Sequence, residues 1–151
     1  MQLINEQSVF PRLSAQSSTE VITILGNALR EQGIVTERYV DEVLAREKVF
    51  PTGLQVDDLG VGIPHTNPNH VIKSGIAVAT LKEPVIFQSM VDAVTPIKVN
   101  LVFLLAIKAP NGQVNILQEL MSIIQDTALL NNLLTSEKEN EISAALVNLK
   151  L

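Results

Sequence analysis

VNLVFLLAI, residues 99–107, is apolar at every position except Asn100. So continuous a run lacks the 3.6-residue period of a surface helix and the strict alternation of a half-buried strand. It fits a central strand covered on both faces. GIAVATL, residues 75–81, reads the same way, with Thr80 as its polar member. Shorter β-branched runs surround these two: GLQV at 53–56, LGVGI at 59–63 and PVIF at 84–87. Gly, Pro, Asn and Asp separate them, so Gly53 to Ile107 is expected to form a sheet.

Helical patterns flank that segment on both sides. In SSTEVITILGNALREQG, 17–33, Ser17 and Glu20 have capping-box spacing, and Gly33 supplies a C-terminal stop. Val21, Ile22, Leu25, Ala28 and Leu29 make one apolar stripe between them. A second helix is predicted from near Thr36 to Pro51, burying Tyr39, Val40, Val43 and Leu44 and carrying Arg46 in its last turn. After APNG, 109–112, the helical period returns, with Val114, Leu117, Leu120, Met121 and Ile124 on one side. Two shorter helices are expected around TALLNNLLT, 127–135, and SEKENEISAALVNL, 136–149. The fold class is therefore α/β: one domain over 1–151, a sandwich of a mixed β-sheet flanked by helices.

Composition excludes several functions. At 151 residues the chain is the size of one domain with a real core, and with aromatics at 3% and no Trp that core must be aliphatic. A formal charge of −5 argues against nucleic-acid binding, which needs a basic surface, and favours a positively charged protein partner. There is no cysteine, so disulfides, thiolate nucleophiles and cysteine-ligated zinc are excluded. The start, MQLINEQSVFPRLSAQ, does not read as a signal peptide, and the longest apolar run is too short to span a bilayer. A cytoplasmic location without membrane insertion is the expectation.

For chemistry, there is no G-x-S-x-G elbow and no Gly-rich phosphate loop. Asp57 and Asp58 are adjacent, so on a strand they would face opposite ways; a solvated turn accounts for them better than a catalytic pair. His65 and His70, the two histidines, lack further ligands at metal-site spacing, and neither metal nor cofactor is expected. His70, behind Asn-Pro-Asn, reads as a loop residue. His65 follows Gly62, Ile63 and Pro64, where a proline suits a strand end and holds its neighbour at a rigid edge. That placement serves an ordinary loop histidine or a reactive one. An imidazole neutral near pH 7 offers one nitrogen lone pair, and attack on a phosphoryl group needs a guanidinium or N–H donors nearby but no metal. Arg46 and Thr52 bracket EKVFP and can fold back against the Pro64–His65 edge. Arg46 is either such a donor or a solvated cation favoured by its helix end.

The stretch AREKVFPTGLQVDDLGVGIPHTN, 45–67, resembles the phosphorylation-site signature of the enzyme IIA proteins of the sugar phosphotransferase system (PTS), fructose–mannitol superfamily. The matching elements are Arg46-Glu47, Thr52-Gly53 and the Pro-His at His65, and the resemblance runs the length of the chain. It implies a PTS enzyme IIA type-2 domain that takes a phosphoryl group on Nε2 of His65 from the histidine phosphocarrier protein. The group then passes to a IIB component, which serves a membrane IIC component during sugar uptake. Arg46 matches the family's active-site arginine, and Thr52 is a phosphoryl-binding candidate. Where many members carry a second histidine in a His-Leu-x-Leu-Leu pattern, this chain has Gln113 in QVNIL, a second phosphoryl-binding candidate. That departure resembles the galactitol-type branch and points to a sugar alcohol. The alternative is a regulatory IIA-like domain that signals sugar or nitrogen status through His65.

Overall fold

The computed structural model describes residues 3–109 and 112–147. Five strands form one sheet: β1 (Val9–Leu13), β2 (Gly53–Val56), β3 (Leu59–Gly62), β4 (Gly75–Gln88) and β5 (Pro96–Ala106). Their spatial order is β1-β4-β5-β3-β2. β4–β5 and β2–β3 are antiparallel, whereas β1–β4 and β3–β5 are parallel, so the sheet is mixed. Helices α1 (Ser18–Glu31) and α2 (Tyr39–Val49) precede β2; α3 (Gly112–Ile124), α4 (Thr127–Thr135) and α5 (Glu139–Ala145) follow β5.

The uninterrupted apolar runs are explained by two cores. Leu101, Phe103, Leu105 and Ile107 point to the face packed with Ile116, Leu120, Leu133 and Ile142 from α3–α5. Val102, Leu104 and Ala106 point to the opposite face, with Ile22, Leu25 and Leu29 of α1 and Tyr39 and Val43 of α2. The two-residue side-chain period of a strand thus serves both layers at once. In β4 the residues turned towards α1 are Ala77 and Ala79, small enough for the helix to lie close.

α1 stops as its sequence anticipates. Gly33 has φ +73°, its N–H donates to Arg30 O at 3.0 Å, and Ile34 N–H donates to Leu29 O at 3.0 Å, the paired bonds of a Schellman motif. At the other end Ser17 Oγ accepts from Glu20 N at 3.1 Å, but the Glu20 carboxylate reaches Gln16 N at 3.1 Å and not the Ser17 N–H of a full capping box. Buried Gly26 takes the place on the stripe expected for Ala28, which is only partly buried. Asp57 and Asp58 form the exposed β2–β3 turn, with Asp57 at φ +53°.

Several elements differ from the sequence reading. β1 was not anticipated; it pairs along the outer edge of β4. Residues 75–81 and 84–87 belong to one strand, with a register shift between Thr80 and Val85 that absorbs exposed Lys82, Glu83 and Pro84. α2 begins at Tyr39 and not near Thr36; a turn in which Tyr39 N–H donates to Thr36 O at 3.2 Å leads into it. In α3 the buried line is Gly112, Ile116, Leu120 and Ile124, while Val114 and Met121 are exposed at 58% and 38%. α5 is shorter than 136–149, the last of which lie outside the described residues, as do Pro110 and Asn111 of the APNG break.

One buried polar contact ties the α2 layer to the sheet beside the site described below. Tyr39 is fully buried and its hydroxyl donates to Leu105 O at 2.6 Å. Tyr39→Phe keeps the ring but removes the donor, and is expected to cost about 1–2 kcal/mol of stability. Urea unfolding at neutral pH measures it, and an unchanged midpoint would show the bond to be replaceable by solvent.

Candidate functional site

β3 leads directly into the histidine. Ile63 N–H donates to Thr52 O at 3.4 Å, which prolongs the β2–β3 ladder by one rung. Pro64 has no N–H, so the ladder cannot continue past it. The chain instead stays beside β5: Leu105 N–H donates to Pro64 O at 3.0 Å, and His65 forms a parallel bridge to Leu105. Pro64 is buried and His65 half-buried, so the imidazole stands at the end of a fixed strand.

The ring orientation follows from one hydrogen bond. His65 Nδ1 lies 3.0 Å from Ile63 O. A carbonyl oxygen only accepts, so Nδ1 carries the hydrogen and the neutral ring keeps its lone pair on Nε2. Burial, foremost, and the positive charge of Arg46 push the His65 pKa below the ordinary histidine value, against the opposing effect of the Ile63 bond. Burial and Arg46 both favour the neutral ring, whose lone pair is on Nε2.

The folded pKa of His65 lies below the unfolded value of about 6.5, so between the two the unfolded chain binds more protons. The contribution of neutral His65 is complete above about pH 6.5 and is lost as pH falls towards the folded pKa. An NMR titration of the His65 ring is expected to give a midpoint below about 6.5, and Arg46→Ala is expected to raise it. A midpoint above that value would contradict the buried, cation-flanked ring.

Arg46 stands in the last turn of α2, exposed, with its guanidinium carbon 5.1 Å from the Phe50 ring centroid. Among the described residues it joins no ion pair, although Arg12, Arg30 and Arg38 each do. Stacking on Phe50 steadies the side chain and leaves its donors for an anion. Gln113 occupies the first turn of α3 and donates from Nε2 to Thr66 O at 2.8 Å, next to His65. Its amide has a second N–H for another acceptor.

Thr52 is buried and has an unanticipated partner. Its N–H donates to Glu47 Oε2 at 2.8 Å and its hydroxyl to Glu47 Oε1 at 2.9 Å. Burial raises the Glu47 pKa, and the two Thr52 bonds act against that rise. The structure thus gathers His65, Arg46, Thr52 and Gln113 at one sheet end, and Glu47 joins them. The signal for Glu47 lay in the Arg-Glu pair, where only the arginine had been given a role. His70 lies apart in a single 3-10 turn, Pro68–His70. Among the described residues no group of three or more His, Asp or Glu is placed to hold a metal ion, and no helix is long and apolar enough to cross a membrane.

Comparison with known proteins bears on this geometry. The family model described as "Phosphoenolpyruvate-dependent sugar phosphotransferase system, EIIA 2" matches residues 2–148. The chain is 29% identical over 123 residues to the PTS system galactitol-specific EIIA component of Escherichia coli (strain K12), covering 82% of this chain and 81% of that protein. It is 37% identical over 100 residues to the transcriptional regulator ManR of Bacillus subtilis (strain 168), covering 66% of this chain and 14% of that protein. In fold it is similar to a chain in the complex of enzyme IIAMTL and phosphorylated enzyme IIBMTL from Escherichia coli. That likeness has a TM-score of 0.78 at 23% identity and covers 95% of this chain and 98% of the other.

Proposed function

We infer, because this chain belongs to the EIIA 2 family of the phosphoenolpyruvate-dependent sugar phosphotransferase system, that it carries phosphoryl groups on Nε2 of His65. The observation that carries this reading is the Nδ1–H bond to Ile63 O, which leaves Nε2 as the nucleophile. In the forward step the Nε2 lone pair attacks the phosphorus of a phosphohistidine on the histidine phosphocarrier protein. The new N–P bond forms as the donor's N–P bond breaks, and that electron pair returns to the donor's ring nitrogen. The accepting ring becomes positively charged as it bonds, and the Ile63 carbonyl stabilises the Nδ1–H that shares the charge. Arg46 meets the charge on the transferring oxygens, and Gln113 offers its free amide N–H to the same oxygens. Thr52 contributes by fixing the edge, its own donors being held by Glu47.

The onward acceptor in this reading is a IIB component, which in turn serves a membrane IIC component. Support for a IIB partner comes from the complex formed by the structurally similar enzyme IIAMTL. Exposed Val49 and Phe50 before Thr52, and Met90 and Val91 in the turn whose Met90 N–H bonds Gly53 O, offer apolar surface suited to protein partners. Likeness to the galactitol-specific component supports uptake of a galactitol-like sugar alcohol. The reaction belongs in the cytoplasm, where phosphoenolpyruvate is available. The test is incubation with phosphoenolpyruvate, enzyme I and the phosphocarrier protein, followed by intact mass. One added phosphoryl group supports the reading; an unchanged mass with active donors overturns it.

A further inference from the structure

We propose that Glu47 is a positioning residue for transfer at His65, acting through Thr52 and Ile63; this rests on the carrier reading above. Glu47 lies at the end of α2, one residue beyond Arg46, and its carboxylate binds across Lys48, Val49, Phe50 and Pro51 to the first residue after them. Each carboxylate oxygen takes one Thr52 donor, the backbone N–H at 2.8 Å and the hydroxyl at 2.9 Å. Two bonds to two oxygens hold residue Thr52 by both its backbone N–H and its side chain, where one bond would leave a pivot. The Thr52 carbonyl accepts the Ile63 N–H at 3.4 Å, and the Ile63 carbonyl accepts His65 Nδ1–H at 3.0 Å. An unbroken series of bonds therefore joins the Glu47 carboxylate to the ring nitrogen that sets the tautomer.

The same carboxylate serves a second purpose. A phosphoryl group offers acceptors, and so do the lone pairs of the Thr52 hydroxyl. While its hydrogen is given to Glu47, that hydroxyl cannot donate to the phosphoryl oxygens. Thr52 is thereby a structural member of the site, and stabilisation of the transferring oxygens falls to Arg46 and Gln113. Glu47 also spends its charge on Thr52 and makes no ion pair with Arg46, which leaves the guanidinium available to the incoming anion.

Glu47→Gln preserves volume but replaces two charge-assisted bonds by neutral ones, and its NH2 can meet the Thr52 hydroxyl only by donating to it, which reverses that bond. The maximal rate of phosphoryl acceptance is expected to fall about tenfold, with KM for the phosphocarrier protein unchanged. Thr52→Val, which removes only the hydroxyl bond, is expected to lose about threefold and to add nothing to Glu47→Gln in the double variant. The decisive readout is made on unphosphorylated protein: the ring 15N shifts of His65, which report the Nδ1–H tautomer. Both variants are expected to lose part of that tautomer while remaining folded by circular dichroism. Wild-type 15N shifts and rates in folded Glu47→Gln overturn the proposal, and if that variant does not fold, wild-type shifts and rates in Thr52→Val do so. Should the wild-type chain accept no phosphoryl group at all, the carrier reading fails, and the 15N comparison alone still decides whether Glu47 positions the ring.

Discussion

His65→Ala is expected to take up no phosphoryl group from the phosphocarrier protein, while His70→Ala is loaded as fully as the wild type. The two histidines are five residues apart, yet they stand in different physical situations. His65 is fixed by the parallel bridge to Leu105, by buried Pro64 and by the Nδ1 bond to Ile63 O. His70 ends a 3-10 turn, and its backbone carbonyl holds the Thr36 N–H, a role that alanine keeps. With no cysteine in the chain, no thiolate can take over from a missing imidazole. Intact mass after incubation with phosphoenolpyruvate, enzyme I and phosphocarrier separates the two variants. Loading of His65→Ala would move the carrier role to another residue.

The second large effect concerns Arg46. A solvated helix-end cation would be replaceable by Lys, and even by Ala at little cost. The guanidinium here stacks on Phe50, joins no ion pair among the described residues, and lies near enough to depress the pKa of His65. Loss of a charge-assisted contact of about 3 kcal/mol in the transition state corresponds to roughly a hundredfold in rate. Arg46→Ala is expected to slow transfer by that order. Arg46→Lys is expected to fall between Ala and wild type, since it keeps charge but loses the planar fork. Rapid-quench transfer from the phosphocarrier, with circular dichroism as folding control, measures both. Wild-type rates in both variants would return Arg46 to the role of a helix-end cation.

The central layer of the fold was legible in VNLVFLLAI because residues buried on both faces leave no polar alternation. What escaped has physical causes. β1 is VFPRL, five residues with Pro11 and Arg12 inside, tolerated because it lies at the sheet edge. Residues 84–87 read as a separate strand because the polar Lys82-Glu83-Pro84 stretch sits at a register shift and faces solvent. α3 offers so many apolar side chains that two stripes fit its sequence; packing against the sheet selects the one through Ile116. In the candidate site, the nearness of Arg46 to His65 was expected from the matched motif. The Glu47–Thr52 pair was not, because it depends on the path of residues 48–51 across the end of α2. Spacing names the residues that meet; only the backbone path decides which donor meets which acceptor.

In the proposed carrier reaction phosphorus bonds to Nε2 of His65, because Nδ1 is held by Ile63. That attachment is tested most directly by loading 15N-labelled protein from the phosphocarrier and recording phosphorus–nitrogen couplings and ring shifts by NMR. The expected result is a single phosphohistidine at residue 65 with phosphorus on Nε2, stable in base and lost in acid. Phosphorus on Nδ1, on His70, or in an acid-stable linkage would contradict it.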